Sequence, residues 1–184
     1  MNDEEDLKIL KLFRDKLEIL RKSVEEKWPR IKYEEVIEYL RRKGYEIEFG
    51  DDLGGDEERI LTQEFETPIF VTHYPKEIKA FYMKWDPNDT RVVLNHDLLA
   101  PEGYGEIVGG SERETDVNKL IERIRAEGFN EEDYWWYLDL RRYGSVQHSG
   151  FGLGIERFLM WILKLDHIRD TLPFPRMYRR EDFV

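Results

Sequence analysis

Leu7, Leu10, Phe13, Leu17 and Leu20 recur at intervals of three and four, with lysines and glutamates between them. That period gathers the apolar side chains on one stripe and predicts a helix over residues 3–27. Trp28-Pro29 ends it, because the residue before a proline is pushed out of the α region. Tyr33, Val36, Ile37 and Leu40 predict a second helix over residues 33–43, stopped by Lys43-Gly44.

The period then changes. Pro68-Ile-Phe-Val-Thr72, Ala80-Phe-Tyr-Met83 and Arg91-Val-Val-Leu94 are short, rich in β-branched or aromatic residues, and bounded by turn chemistry such as Asp86-Pro-Asn-Asp89. They predict antiparallel strands, with Gly105-Glu-Ile-Val-Gly109 as a further strand. Helical spacing returns over 114–127 through Val117, Leu120, Ile121 and Ile124. A helix over 131–143 opens with Asn130 as N-cap ahead of three acidic residues. Its run Tyr134-Trp-Trp-Tyr137 covers all sides of the helix, which predicts burial in the core. Gly150-Phe-Gly-Leu-Gly154 then feeds an apolar helix over 155–165. With no repeat or linker, the expectation is a single α+β domain over 1–184, led by a helix within 1–30, with a mostly antiparallel sheet flanked by helices.

Composition narrows the class. A chain of 184 residues, 40% hydrophobic and 14% aromatic, can bury a sizeable core despite 38% charged residues. The absence of cysteine removes disulfides, thiolate metal sites and a cysteine nucleophile. No apolar run reaches the roughly 18–20 residues of a membrane span, and the first residues are acidic where a signal peptide is basic. A cytoplasmic location without membrane contact is expected. A net charge of −11 argues against non-specific wrapping of nucleic acid. The four histidines have no metal-ligand spacing.

Three segments carry candidate chemistry. In His148-Ser-Gly-Phe-Gly-Leu-Gly-Ile-Glu-Arg157, alternate glycines let a strand approach a flat ligand, and Arg157 follows one turn later to stack on a base or pair with phosphate. The alternative is a glycine-rich strand packed on a core helix. In Gly103-Tyr-Gly-Glu-Ile-Val-Gly-Gly-Ser-Glu-Arg-Glu114, Glu106 suits a carboxylate holding Mg²⁺ against phosphates, and Arg113 suits a clamp on a small polar substrate. A solvated ion pair is the alternative. In Tyr74-Pro-Lys-Glu-Ile-Lys-Ala-Phe-Tyr-Met83, Lys79 and Tyr82 face opposite sides of a plain strand. They reach one pocket only if the strand twists or is entered by a turn at Lys79.

Gly154-Ile-Glu-Arg157, Ile168-Arg-Asp170 and Phe174-Pro-Arg176 resemble motif 3 and the C-terminal end of the class II aminoacyl-tRNA synthetases. Thr72-His-Tyr-Pro-Lys-Glu-Ile-Lys-Ala-Phe-Tyr-Met83, Gly105-Glu-Ile-Val-Gly-Gly-Ser-Glu-Arg-Glu114 and Tyr134-Trp-Trp-Tyr-Leu-Asp-Leu-Arg-Arg-Tyr-Gly-Ser145 resemble the asparaginyl group of that class. So do Phe49-Gly-Asp-Asp-Leu53 and Glu57-Glu-Arg59, while aspartyl members typically carry serine at the place of Gly109. The resemblance implies ATP-dependent activation of asparagine (or aspartate) to an adenylate and transfer to tRNA, in protein biosynthesis. It implies that Glu106 binds ATP through Mg²⁺ and that Arg113, Lys79 and Tyr82 bind the amino acid. Gly152 and Gly154 would floor the adenosine, with Ile155 and Glu156 beside it, and Arg157 would cover the adenine and meet the phosphates. Glu106 and Arg157 are the expected catalytic pair.

Motif 1, motif 2 and the anticodon-binding barrel of that family are not found in these 184 residues. The expectation is therefore the C-terminal part of a catalytic domain, completed by a chain carrying motifs 1 and 2 or closed by homo-oligomerisation. Other readings are a truncated paralogue that binds ATP or an amino acid, one that makes asparagine from aspartate, and a purely structural subunit. Arg176, Arg179 and Arg180 suit an acceptor stem or a solvated tail.

Overall fold

The first apolar stripe breaks at Arg14. In a computed structural model, which describes residues 4–176, α1 (Glu4–Phe13) and α2 (Glu18–Glu25) are separate helices where the spacing predicts one. Between them Arg14 turns inward and is buried. Its guanidinium donates to the carbonyl of Trp161 at 2.8 Å and pairs with Glu102 at 2.5 Å. A buried cation needs such partners, and meeting them fixes the chain at the break.

The second stripe behaves as written. α3 (Tyr33–Arg42) buries Tyr33, Val36, Ile37 and Leu40. Two elements that the pattern does not announce flank it: β1 (Arg30–Lys32) and α4 (Gly55–Thr62). The sheet continues with β2 (Ile69–Thr72), β3 (Asn95–Ala100), β4 (Gly105–Glu112) and β5 (Ser149–Leu153), in the order β1-β2-β3-β4-β5. All pairings are antiparallel except β1 with β2. The fold is thus α+β with a mostly antiparallel sheet, as the sequence implies.

Residues 80–83 and 91–94 do not form strands. They touch the sheet region through isolated bridges, Met83 to Arg113, Trp85 to Val93 and Pro75 to Val92. Pro75 and Pro87 lack the N–H that a ladder needs, and a 3₁₀ turn at Lys76–Ile78 redirects the chain. The strand of this region starts instead at the polar residues Asn95 and His96.

α5 (Val117–Ala126) is capped by Asp116, whose side chain accepts the N–H groups of Asn118 and Lys119. A 3₁₀ turn at Glu131–Tyr134 runs into α6 (Trp135–Arg142), and α7 (Ile155–Ile162) follows β5. Trp135 and Trp136 are 60% and 53% exposed, against the expectation of burial. α6 rests on α5 by Leu138, so its tryptophans point away from that contact. No helix among the described residues is long and apolar enough to cross a membrane. Arg179 and Arg180 lie outside the described residues.

The pleat sorts the sheet into two faces. Leu98 opposes Val108, which opposes Leu153, and this apolar face packs under α1, α2 and α7 through Leu17, Leu20 and Trp161. Asp97 opposes Gly109, which opposes Gly152, on the other face. α3 and α4 cover that second face near β2, with Ile69, Val71 and Leu99 in the shared core.

Candidate functional site

A one-residue irregularity assembles the site. Asp97 pairs with Gly109 and Leu98 with Val108, so a regular ladder would set Leu99 against Ile107; Leu99 meets Glu106 instead. This bulge moves Glu106 onto the face that bears Asp97 and sends Ile107 into the apolar core. The two carboxylates then converge: a Cβ built on Gly109 would lie 2.7 Å from Glu106 Oε1 and 3.7 Å from Asp97 Oδ1. A side chain at Gly109 would push the Glu106 carboxylate aside and touch that of Asp97 at ordinary contact distance.

Lys79 ends the 3₁₀ turn, and its ammonium pairs with Asp97 at 2.7 Å, 4.0 Å from the centroid of the Tyr74 ring. The segment is entered by a turn at Lys79, one of the two geometries expected for it. Tyr82 carries the Arg113 guanidinium over its ring, 4.6 Å from the centroid. Arg113 also donates to Ser111 Oγ at 2.6 Å, and has no carboxylate partner among the described residues.

The glycines of β5 open the space beside these groups. A Cβ on Gly150 would lie 2.9 Å from Arg113 Nη2, whereas one on Gly152 would meet nothing within 4 Å. Gly152 thus leaves an open floor beside the carboxylates. Gly154 caps α7 and donates its N–H to the carbonyl of Ile107 at 2.9 Å. Ile155 is exposed and Glu156 half-buried in the first turn of α7. Arg157 reaches back from that helix to the carbonyl of Glu106, 3.0 Å away, with its side chain in solvent. Lys79, Glu106, Arg113, Gly152 and Arg157 thus come near one sheet face, whereas Ile155 and Glu156 are on α7, which packs on the other.

Two residues of this face escaped the reading of individual side chains. Asp97 sits in a polar stretch with no apolar alternation to mark a strand. Glu58, on α4, accepts the Glu106 N–H at 2.9 Å. It approaches where Gly105, at φ +72°, has no side chain: a Cβ there would stand 2.5 Å from Glu58 Oε2. The only sequence signal for it was the string Glu57-Glu-Arg59.

Crowding carboxylates away from water disfavours their charge. Burial pushes the Glu58 carboxyl up to about 7, an effect opposed by the Glu106 N–H and reinforced by the charges of Glu106 and Asp97. Burial, then repulsion from Asp97, also raises Glu106, while Lys79 and Arg157 pull it down. Among the described residues no group of three or more metal-ligating side chains forms a closed cage. Two converging carboxylates nonetheless supply the oxygen donors that Mg²⁺ takes when substrate phosphates and water complete its shell. The residues present fit that ion.

A mostly antiparallel sheet with helices packed on both faces is the fold shared with the class II synthetase structures that this chain matches. The chain belongs to the family described as tRNA synthetases class II (D, K and N), whose model matches residues 4–178. Within it, the chain is 63% identical over 169 residues to the asparagine–tRNA ligase of Pyrococcus abyssi, covering 92% of this chain and 39% of that protein. Its fold matches an asparaginyl-tRNA synthetase from Pyrococcus horikoshii complexed with asparaginyl-adenylate at a TM-score of 0.91 and 61% identity, over 94% of this chain and 40% of that one. An aspartyl-tRNA synthetase from Entamoeba histolytica matches at 0.76 and 30% identity, over 81% and 31%. The chain thus spans about 40% of the length of the curated relatives it matches.

Proposed function

We propose that this chain provides the ATP- and amino-acid-binding face of a cytoplasmic asparagine–tRNA ligase. The observation that carries the reading is the gathering of Asp97, Glu106, Arg113 and Arg157 around the Gly152 floor on one sheet face. The adenylate held by the similar synthetase supports it.

The side chains divide the work by charge. Arg157, in solvent at the start of α7, covers the adenine by stacking and meets phosphate oxygens. Gly152, with Gly154 at its end, lets the adenosine lie flat on β5, beside Ile155 and Glu156. Arg113, a cation without an acidic partner among the described residues, receives the side-chain oxygen of asparagine, and Tyr82 holds its guanidinium plane. Lys79 lines the same pocket and keeps Asp97 from repelling Glu106 unopposed. Asp97 and Glu106 would hold Mg²⁺, which when bound neutralises charge on the phosphates.

The reaction has two displacements. An asparagine carboxylate oxygen bonds to the α-phosphorus and pyrophosphate leaves; a tRNA ribose hydroxyl then bonds to the acyl carbon and AMP leaves. Neither displacement uses a protein nucleophile, so this chain contributes positioning and fixed charge. Motifs 1 and 2, carried by further polypeptide, complete the site, and tRNA binds the completed enzyme; self-association could cover the exposed sheet but could not supply those motifs.

Calorimetric titration of the chain with ATP and Mg²⁺, with and without asparagine, tests this. The expected result is ATP binding that asparagine strengthens and that Arg157→Ala abolishes without unfolding the chain. Failure of the soluble, folded chain to bind either ligand would overturn the reading.

A further inference from the structure

The pocket wall that bears Lys79 and Tyr82 is not part of the sheet. Residues 79–83 lack a strand ladder, so their carbonyls need other partners. Arg123, on α5, is only 7% exposed and serves the first of them: its Nη2 donates to the carbonyl of Lys79 at 2.8 Å and, at the start of the preceding turn, to that of Lys76 at 2.7 Å. The same nitrogen pairs with Glu127 at 2.8 Å, which neutralises the cation one helical turn on. Its Nε, buried, has no partner. A guanidinium that only joined α5 to the domain could be replaced by an apolar side chain with less desolvation. Its donors are aimed instead at the two ends of the turn that delivers Lys79.

A second arginine closes the other end. Arg141, on α6 and also buried, donates through Nε to the carbonyl of Glu114 at 3.1 Å. The Glu114 N–H in turn donates to the carbonyl of Tyr82 at 2.9 Å. Residues 79–82 therefore hang between two guanidinium anchors.

We propose that Arg123 is a positioning residue for the amino-acid pocket, setting the backbone at Lys79 so that its ammonium meets Asp97 and leaves Arg113 open to substrate. The inference rests on the amino-acid pocket proposed above. Its first test needs no ligand. Lys79 is labelled with an amine-reactive ester and its rate is read by mass spectrometry, in the unaltered chain and in Arg123→Met and Arg123→Lys. The Met variant keeps the apolar stem and loses the donors; Lys keeps a donor and a charge for Glu127, and replaces Met as the test where Met does not fold. We expect Lys79, shielded by its ion pair, to react several-fold faster in the Met variant, with Lys intermediate, while surface lysines such as Lys8 do not change. Unchanged Lys79 labelling in the folded Met variant, or in Arg123→Lys if Met does not fold, overturns the proposal. Calorimetry adds the functional readout: asparagine affinity falls about tenfold in the Met variant and ATP affinity stays. Equal loss of both overturns the proposal, because it marks a general structural role. If the unaltered chain binds no asparagine, the functional reading has failed and the labelling rate alone decides about Arg123.

Discussion

Leu98, Val108 and Leu153 line one face of β3–β5, and their neighbours Asp97, Gly109 and Gly152 line the other. The first face is closed over by Leu20, Phe158 and Trp161, leaving a carbon-lined crevice of about 400 Å³ between α2, the sheet and α7. The second face holds three carboxylates, two of them forced upward in pKa by burial, and glycines in place of packing side chains. The first face is apolar along these strands; the second is apolar only towards β2, where Ile69, Val71 and Leu99 pack under α3 and α4, and over β4 and β5 it keeps charges close and space open. The pleat separates the two economies residue by residue, and the bulge at Leu98/Leu99 is where one residue, Glu106, changes sides.

The largest effect is expected where the apolar face is broken. Trp161 is 4% exposed, packs edge-on against Phe158 at 6.1 Å between centroids, and accepts the Arg14 guanidinium at its carbonyl. Trp161→Ala removes the indole but not that carbonyl. It should cost about 3 kcal/mol, near the low end for large aromatic truncations because the crevice already leaves one side of the ring uncontacted. Urea denaturation measures the loss. ATP affinity per folded molecule should hold, and a parallel collapse of affinity would show that the two faces are not independent.

Gly152→Val reverses the test. The strand is exposed at its end, and valine suits an extended backbone, so stability should stay within about 0.5 kcal/mol. The new side chain would fill the floor beside the carboxylates, and ATP affinity should fall by roughly a hundredfold, about 2.7 kcal/mol. Calorimetry alongside urea denaturation reads both. Unchanged affinity would place the nucleotide elsewhere.

This division explains what was legible in the sequence. Elements that bury one clean stripe, α3 and α5, and the glycine-flanked β4, were readable from period alone. α1 and α2 read as one helix because the residue that separates them, Arg14, looks like any surface cation until Glu102 and Trp161 are brought against it. The segment 80–83 has strand composition, but its apolar residues serve a small cluster with α5 and α6 rather than a ladder. On the site face Glu106, Arg113 and Arg157 stood out because glycines mark the places where a ligand or a carboxylate comes close. Asp97 and Glu58 did not, since a bulge and a long-range hydrogen bond place them. Resemblance to a family carried the roles that spacing alone left open.

The smallest predicted effect lies at the boundary between the faces, in Glu58. Its carboxyl titrates at about 7 in the folded chain against an ordinary 4.5, so the folded state holds the proton more tightly than the unfolded one. That contribution is fully present below about 4.5 and is lost as pH rises through 7, so stability should fall as the solution is made more alkaline. Between pH 6 and pH 8 the loss from this one group is about 1 kcal/mol. Glu58→Gln keeps an oxygen to accept the Glu106 N–H and removes the titration. The urea midpoint of this variant should therefore decline less over that interval, and at pH 8 it should exceed that of the unaltered chain. The raised pKa of Glu106 leaves a residual slope of the same sign in both proteins. Identical slopes in the two would mean that water reaches Glu58 freely, and that the charged face costs the fold less than its geometry implies.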